Sequence, residues 1–227
     1  MTENALSIFN NQSTDMSVAP DFMKNEGPAG NENVGAEDQA VPQIKLLQGL
    51  SPEVAEGLVE EARPGMLFNT ITKECHHELY LMNLFFDKEW GVFKKRVLGG
   101  GYHGSYDTQE LAYEAIKDLP GNVDDYELSE TAKHVVVIVD SQTGEAKQPA
   151  MIYCNSTKLS FSKKWNSQIA TTNGDKPRFA SVWRLYSTSQ KNSKGTFFNF
   201  AVEEIAWATE GMFKQAKELF ESFRAEA

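Results

Sequence analysis

Between residues 158 and 194, eight cations (Lys158, Lys163, Lys164, Lys176, Arg178, Arg184, Lys191 and Lys194) stand against a single acid, Asp175, in a chain of formal net charge -10. Phe161, Trp165, Phe179, Trp183 and Tyr186 are interleaved with them. Cations neutralise phosphates and flat rings stack on bases, which is the pairing that single-stranded nucleic-acid binding requires. A second cluster, Lys88, Lys94, Lys95 and Arg96 with Trp90, Phe93, Tyr102 and Tyr106, surrounds a glycine-rich stretch at 99–104. Bare glycine backbone lets a sugar-phosphate chain come close, and the tyrosines offer rings for stacking. The stretch does not match the phosphate-binding consensus that ends in Gly-Lys-Ser/Thr, so nucleotide hydrolysis has no support.

Other chemistries are poorly served. Cys75, His76 and His77 are consecutive, with Cys154, His103 and His134 as the outside candidates for a metal. Consecutive strand residues point to opposite faces, and no Cys-x-x-Cys or His-x-x-x-His spacing is present, so no metal site is expected. There is no nucleophile-elbow sequence, and neither catalysis nor a cofactor is expected. Two cysteines are too few for a disulfide framework and read as reduced thiols. No apolar run approaches the roughly 20 residues of a bilayer span, and the first residues lack a basic leader and an apolar core, so a cytoplasmic protein with no membrane partner is expected.

The acids are segregated from the basic middle. Residues 1–40 carry seven acids against Lys24, and residues 105–130 carry eight against Lys117. Residues 1–41, rich in Asn, Gly and Ser and without a sustained period, read as a disordered acidic arm, leaving 42–227 as one domain. Ser51-Pro52-Glu53 starts a short helix over 54–62. Residues 66–72 and 77–86 read as a hairpin, and 90–98 as a third strand. Asp107 is expected to cap an inserted helix over 108–119. Residues 134–139 and 149–154 form the next hairpin, and a helix follows from Ser156 with Phe161, Trp165 and Ile169 on one face. Trp165 cannot both fill a core and stack on a base, and that choice stays open here. Residues 178–189 and 196–207 form a long hairpin through a turn at 191–195. Along its first strand Phe179, Ser181, Trp183 and Leu185 fall on one side, with Arg178, Ala180, Val182, Arg184 and Tyr186 on the other. Arg184 beside Tyr186 is therefore the expected open platform. Helix 209–226 closes the chain with an apolar stripe of Met212, Phe213, Ala216, Leu219, Phe220 and Phe223. About seven strands with an inserted and a terminal helix give a mainly β fold, expected as an oligonucleotide-binding (OB-like), partly open Greek-key barrel.

Four strings carry a resemblance: Ile-Lys-Leu-Leu-Gln-x-Leu-Ser-Pro-Glu at 44–53, Pro-Gly-x-Leu-Phe-Asn at 64–69, Ser-Thr-Lys-Leu-x-x-x-Lys-Lys-Trp-Asn at 156–166 and Lys-Gly-Thr-Phe-Phe-Asn-Phe at 194–200. They resemble proteins of tailed-phage replication modules, the T7-type single-stranded-DNA-binding proteins of oligonucleotide-binding fold. The resemblance implies a protein that coats transient single strands in phage replication or recombination, with Lys163, Lys164 and Trp165 as contacts. T7-type proteins end in a long acidic tail that recruits partner enzymes, whereas the acidic segment here is N-terminal. The expected contacts for single-stranded DNA are Lys163, Lys164, Trp165, Arg184, Tyr186, Lys95, Arg96, Tyr102, Arg178 and Lys158. Phage replication or host proteins are the expected partners of the N-terminal arm or the C-terminal helix, and a homodimer is allowed. The competing readings are an adaptor that docks through the C-terminal helix stripe and an accessory subunit of a nuclease.

Overall fold

The structure, a computed structural model, describes residues 40–193 and 195–225, together with Met23, Gly27, Ala29, Gly30, residues 32–34 and Asp38. The chain divides into two units, Met1–Ala40 and Val41–Ala227. The expected acidic arm lies almost wholly outside the described residues, as does Lys194.

Among the described residues, nine strands form in the second unit. A small antiparallel sheet is made of β1 (Ile44–Leu46), β2 (Leu67–Asn69) and β3 (Cys75–His76), in that order. The large sheet holds β4 (Glu78–Lys94), β5 (Tyr102–Tyr106), β6 (Tyr126–Val139), β7 (Ala146–Asn155), β8 (Ser181–Asn192) and β9 (Gly195–Trp207). Its order is β7-β6-β4-β8-β9, with β5 also beside β4. The expected barrel does not close. Both outer edges are capped from the N-terminal side: the Met151 N–H on β7 donates to the Pro42 carbonyl at 2.8 Å. On β9, the Gln48 side chain takes the Phe198 N–H at 2.9 Å and donates back to its carbonyl at 3.0 Å.

Valine alternation in β6 explains why the sheet stays open. Val136 and Ile138 point to one face with Leu81, Ile152, Trp183 and Leu185, and there they meet Phe161, Trp165 and Ile169 of the helix Lys158–Asn173 (here α3) and Ile44, Leu46 and Leu67 of the small sheet. Val135, Val137 and Val139 point to the other face, with Met82, Leu84 and Val182, and meet the helix Glu210–Ala225 (α4). A sheet apolar on both faces is buried as a middle layer rather than curled around one interior. The α4 stripe of Met212, Phe213, Ala216, Leu219, Phe220 and Phe223 is spent on this packing. The stripe is therefore not the free face expected of an adaptor, although Phe213 and Phe220 stay partly exposed at its edge.

Several element boundaries differ from expectation for local reasons. The first helix, α1, covers only Pro52–Ala55, because Gly57 adopts a left-handed φ of 66° two residues on. Residues 66–72 pair with β1 and β3 rather than with 77–86. The strands expected at 77–86 and 90–98 are one seventeen-residue strand, β4, up to Lys94, followed by a 3-10 turn at Arg96–Leu98. A register shift against β6 between Asn83 and Phe85 puts Leu84 and Phe85 both on the α4 side and returns Phe86 to the α3 side. Helix α2 (Gln109–Lys117) is capped by Thr108, whose hydroxyl accepts from the Leu111 N–H at 3.2 Å, in place of Asp107. It closes a separate small core of Val92, Ala112, Ile116 and Tyr126 over the far ends of β4 and β6.

Candidate nucleic-acid interface

The expected contacts do not share one surface. On α3 the side chains of Lys163 and Lys164 are exposed and have no ion-pair partner among the described residues, but neighbouring helical positions diverge by about 100°. Lys164 lines a groove with Gln168, Thr172 and Glu204, whereas Lys163 lies one turn before Asn166 on the opposite flank. Trp165 is fully buried, stacked on His134 at 4.6 Å and edge-on to Trp183 at 6.4 Å. It fills the core, and its role as a DNA-stacking residue is corrected accordingly. Lys158 is half-buried over the Phe200 ring at 5.4 Å, and burial, only partly opposed by Cys154, holds its pKa below the usual lysine range.

Arg178 sits on no strand. It begins a 3-10 turn, Arg178–Ala180, and its guanidinium turns inward. Nε donates to Asn83 Oδ1 at 3.0 Å and Nη2 to Asn166 Oδ1 at 2.7 Å, and the group lies 5.8 Å from the Phe86 ring centre. These contacts fix a buried network. Because Asn83 Oδ1 accepts from arginine, its amide nitrogen donates to His134 Nδ1 at 3.0 Å, which leaves the His134 proton on Nε2, donating to Ser162 Oγ at 2.8 Å. Burial first, then the Arg178 charge, pushes His134 down to about 3, and burial brings Arg178 to about 10. The imidazole is therefore neutral and the guanidinium charged near pH 7. Amide oxygens alone hold that charge; no carboxylate among the described residues pairs with it.

The pleat reading of β8 holds from Ser181 to Tyr186: Trp183 and Leu185 are in the core, and Arg184 stacks on Tyr186 at 4.8 Å on the other face. This platform is electrically closed, since Arg184 is bracketed by Glu203 at 2.7 Å and Glu78 at 3.4 Å. Midway along β4 the same happens to Lys88, which pairs with Glu130 at 2.8 Å, and to Lys133 of β6, held between Glu89 at 3.1 Å and Asp87 at 3.6 Å.

Among the expected contacts on described residues, the far end of β4 is where an open ring and unpaired cations stand together. Lys94, Lys95 and Arg96 make no ion pair among the described residues. Gly99, Gly100 and Gly101 all take positive φ, between 68° and 131°, and the Lys94 N–H closes the loop onto the Gly101 carbonyl at 2.8 Å. The Tyr102 ring is 60% exposed, backed by Phe93 at 5.4 Å, with its hydroxyl donating to Ser105 Oγ at 2.9 Å. Val97 is 89% exposed on the turn between them. Lys95, Arg96 and Tyr102 are thus brought together, while Lys158, Lys163, Lys164, Arg178, Arg184 and Tyr186 do not join them. One continuous groove across the hairpins and α3 does not form. The supporting residues Asn83, His134 and Asn166 were missed, although Asn83 stands out as the one polar residue in the run Leu-Tyr-Leu-Met-Asn-Leu-Phe-Phe at 79–86.

No curated protein and no solved structure matches this chain. The family model that does match, over residues 11–227, is that of the Pam3 phage gp34-like protein, and the chain belongs to that phage family.

Proposed function

We propose that this phage protein binds single-stranded DNA, in replication or recombination, through the tip formed by the end of β4, the Arg96–Leu98 turn and β5. The observation that carries the reading is the coincidence there of Lys94, Lys95 and Arg96, none of them ion-paired among the described residues, with the exposed Tyr102 ring on a glycine loop. Backbone with left-handed glycines admits a phosphate chain at short range, and a tyrosine braced by a second ring stacks on any base. The resemblance of four sequence strings to T7-type proteins supports the same class, although a barrel is not part of it. No catalytic group is required.

The test is fluorescence anisotropy of labelled oligo-dT at two salt concentrations. Neutralising about three phosphates gives a log–log salt slope near -2. Tyr102→Ala should weaken binding by roughly 5- to 150-fold, the equivalent of about 1–3 kcal/mol. Reversing Lys95 and Arg96 to Glu should weaken it further, while the same change at Lys163 and Lys164 should leave it nearly intact. The opposite ranking would move the site to α3.

A further inference from the structure

β4 has a gap on one side. β6 pairs along it from Tyr80 to Lys94, but on the other side β8 reaches only from Glu78 to Met82 and β5 begins at Trp90. Among the described residues, Asn83 to Glu89 therefore faces no strand there. The 3-10 turn at Arg178–Ala180 lies against the Asn83 end, which leaves residues 85–89 as an open edge inside a sheet. Its one visible protection is local: the Asp87 carboxylate accepts from the Lys88 N–H at 2.8 Å. Unpaired edges are normally blunted because they template another strand.

Beside the gap, between the sheet and α4, opens a cleft of about 690 Å³. Its apolar lining includes Phe85, Phe86, Phe213 and Phe220, and three cations, Arg178, Lys217 and Arg224, share its wall with one acid, Glu221. Glu221 is 3.7 Å from Lys217, so the two arginines are left unbalanced. Arg178 lies over Phe86 at 5.8 Å, and Arg224 over Phe85 at 5.7 Å and Phe220 at 5.9 Å.

We propose that the gap and the cleft together take an extended acidic peptide segment of a partner protein. The segment adds a short strand to residues 85–89 of β4, places an apolar side chain in the cleft, and sets its carboxylates on Arg178 and Arg224. Free main-chain groups at amide spacing supply affinity to a peptide and none to a nucleic acid, and a pocket off the edge reads alternate side chains. The guanidinium groups cover the Phe rings, so a base could stack there only by displacing them. Two arginines without acids select carboxylates. The displaced Asp87 keeps its contact with Lys133, 3.6 Å away.

The probe is a short, terminally blocked, fluorescein-labelled peptide of alternating glutamate and phenylalanine. Binding is expected, with slowed hydrogen exchange at residues 85–89. Arg224→Glu, which reverses a cleft-wall charge at an exposed position of α4, should weaken it by about tenfold or more. N-methylating alternate peptide amides should abolish it with every side chain retained. The proposal is overturned by absence of binding at about 1 mM peptide, by equal binding of the lysine-for-glutamate or N-methylated peptide, or by oligo-dT protecting these amides where the peptide does not.

Discussion

His134 is clamped between the Trp165 ring and two hydrogen-bond partners, and its neutrality has a cost that depends on pH. Its pKa is about 3 in the fold against an ordinary 6.5. Above pH 6.5 both folded and unfolded states hold it neutral, and its contribution is complete. As pH falls from 6.5 towards 3, only the unfolded state takes up the proton, so stability is lost at up to about 1.4 kcal/mol per pH unit. Urea denaturation at pH 6 and pH 4 should show His134→Gln losing about 2 kcal/mol less over that interval than the parent; parallel losses would remove His134 as the source. Arg178, at about 10, stays charged throughout. This network was not legible in the sequence. Asn83 is separated from His134 by 51 residues and from Arg178 by 95, and nothing local marks them as partners. Exposure was no easier to read: Arg184 and Tyr186 were placed on the correct face, but the acids that neutralise Arg184 come from β4 and β9.

Among elements, the two long helices were the most readable, because Phe161, Trp165 and Ile169 in α3 repeat at helical spacing over about two turns and the α4 stripe over about three. β4 was the least. Asp87, Lys88 and Glu89 look like a break between two strands, yet here they lie on a stretch of β4 paired only to β6, with solvent access that tolerates charge. The small sheet was misjudged because β2 is too short to reveal its partner. Its junction with the large sheet turns on Gly65, at φ 89°, whose carbonyl accepts from Ser187 Oγ at 2.5 Å. A Cβ there would lie 2.7 Å from two carbons of the Phe198 ring. Gly65→Ala combines left-handed strain with that clash and should lower stability by about 1–3 kcal/mol in thermal or urea unfolding. A loss under about 0.5 kcal/mol would mean that the junction yields freely.

Residues 41–227 form a three-layer body from which β4 and β6 run out as a ribbon that β5 joins at its end. The tip and the cleft are both served by β4 but lie apart, with Phe86 and Lys94 separated by about 26 Å of extended chain. Oligo-dT and the acidic peptide should therefore bind together, and saturating peptide should change the oligo-dT affinity by less than about twofold; mutual exclusion in a competition titration would mean a single shared site. A net charge of -10 is compatible with a basic tip because Lys88, Lys133 and Arg184 in mid-sheet are matched to acids across strands, whereas Lys94, Lys95 and Arg96 at the tip are not. The irregularity at Asn83/Phe85 carries one more implication. Beyond it, the register of β4 against β6 is unbroken up to Lys94, so which side chains sit under α2 and which meet solvent depends on the parity of the intervening chain. Lengthening that stretch by a single residue would turn the outlying cluster inside out, ejecting Val92 and swallowing Phe93, while the layered body kept every one of its own contacts.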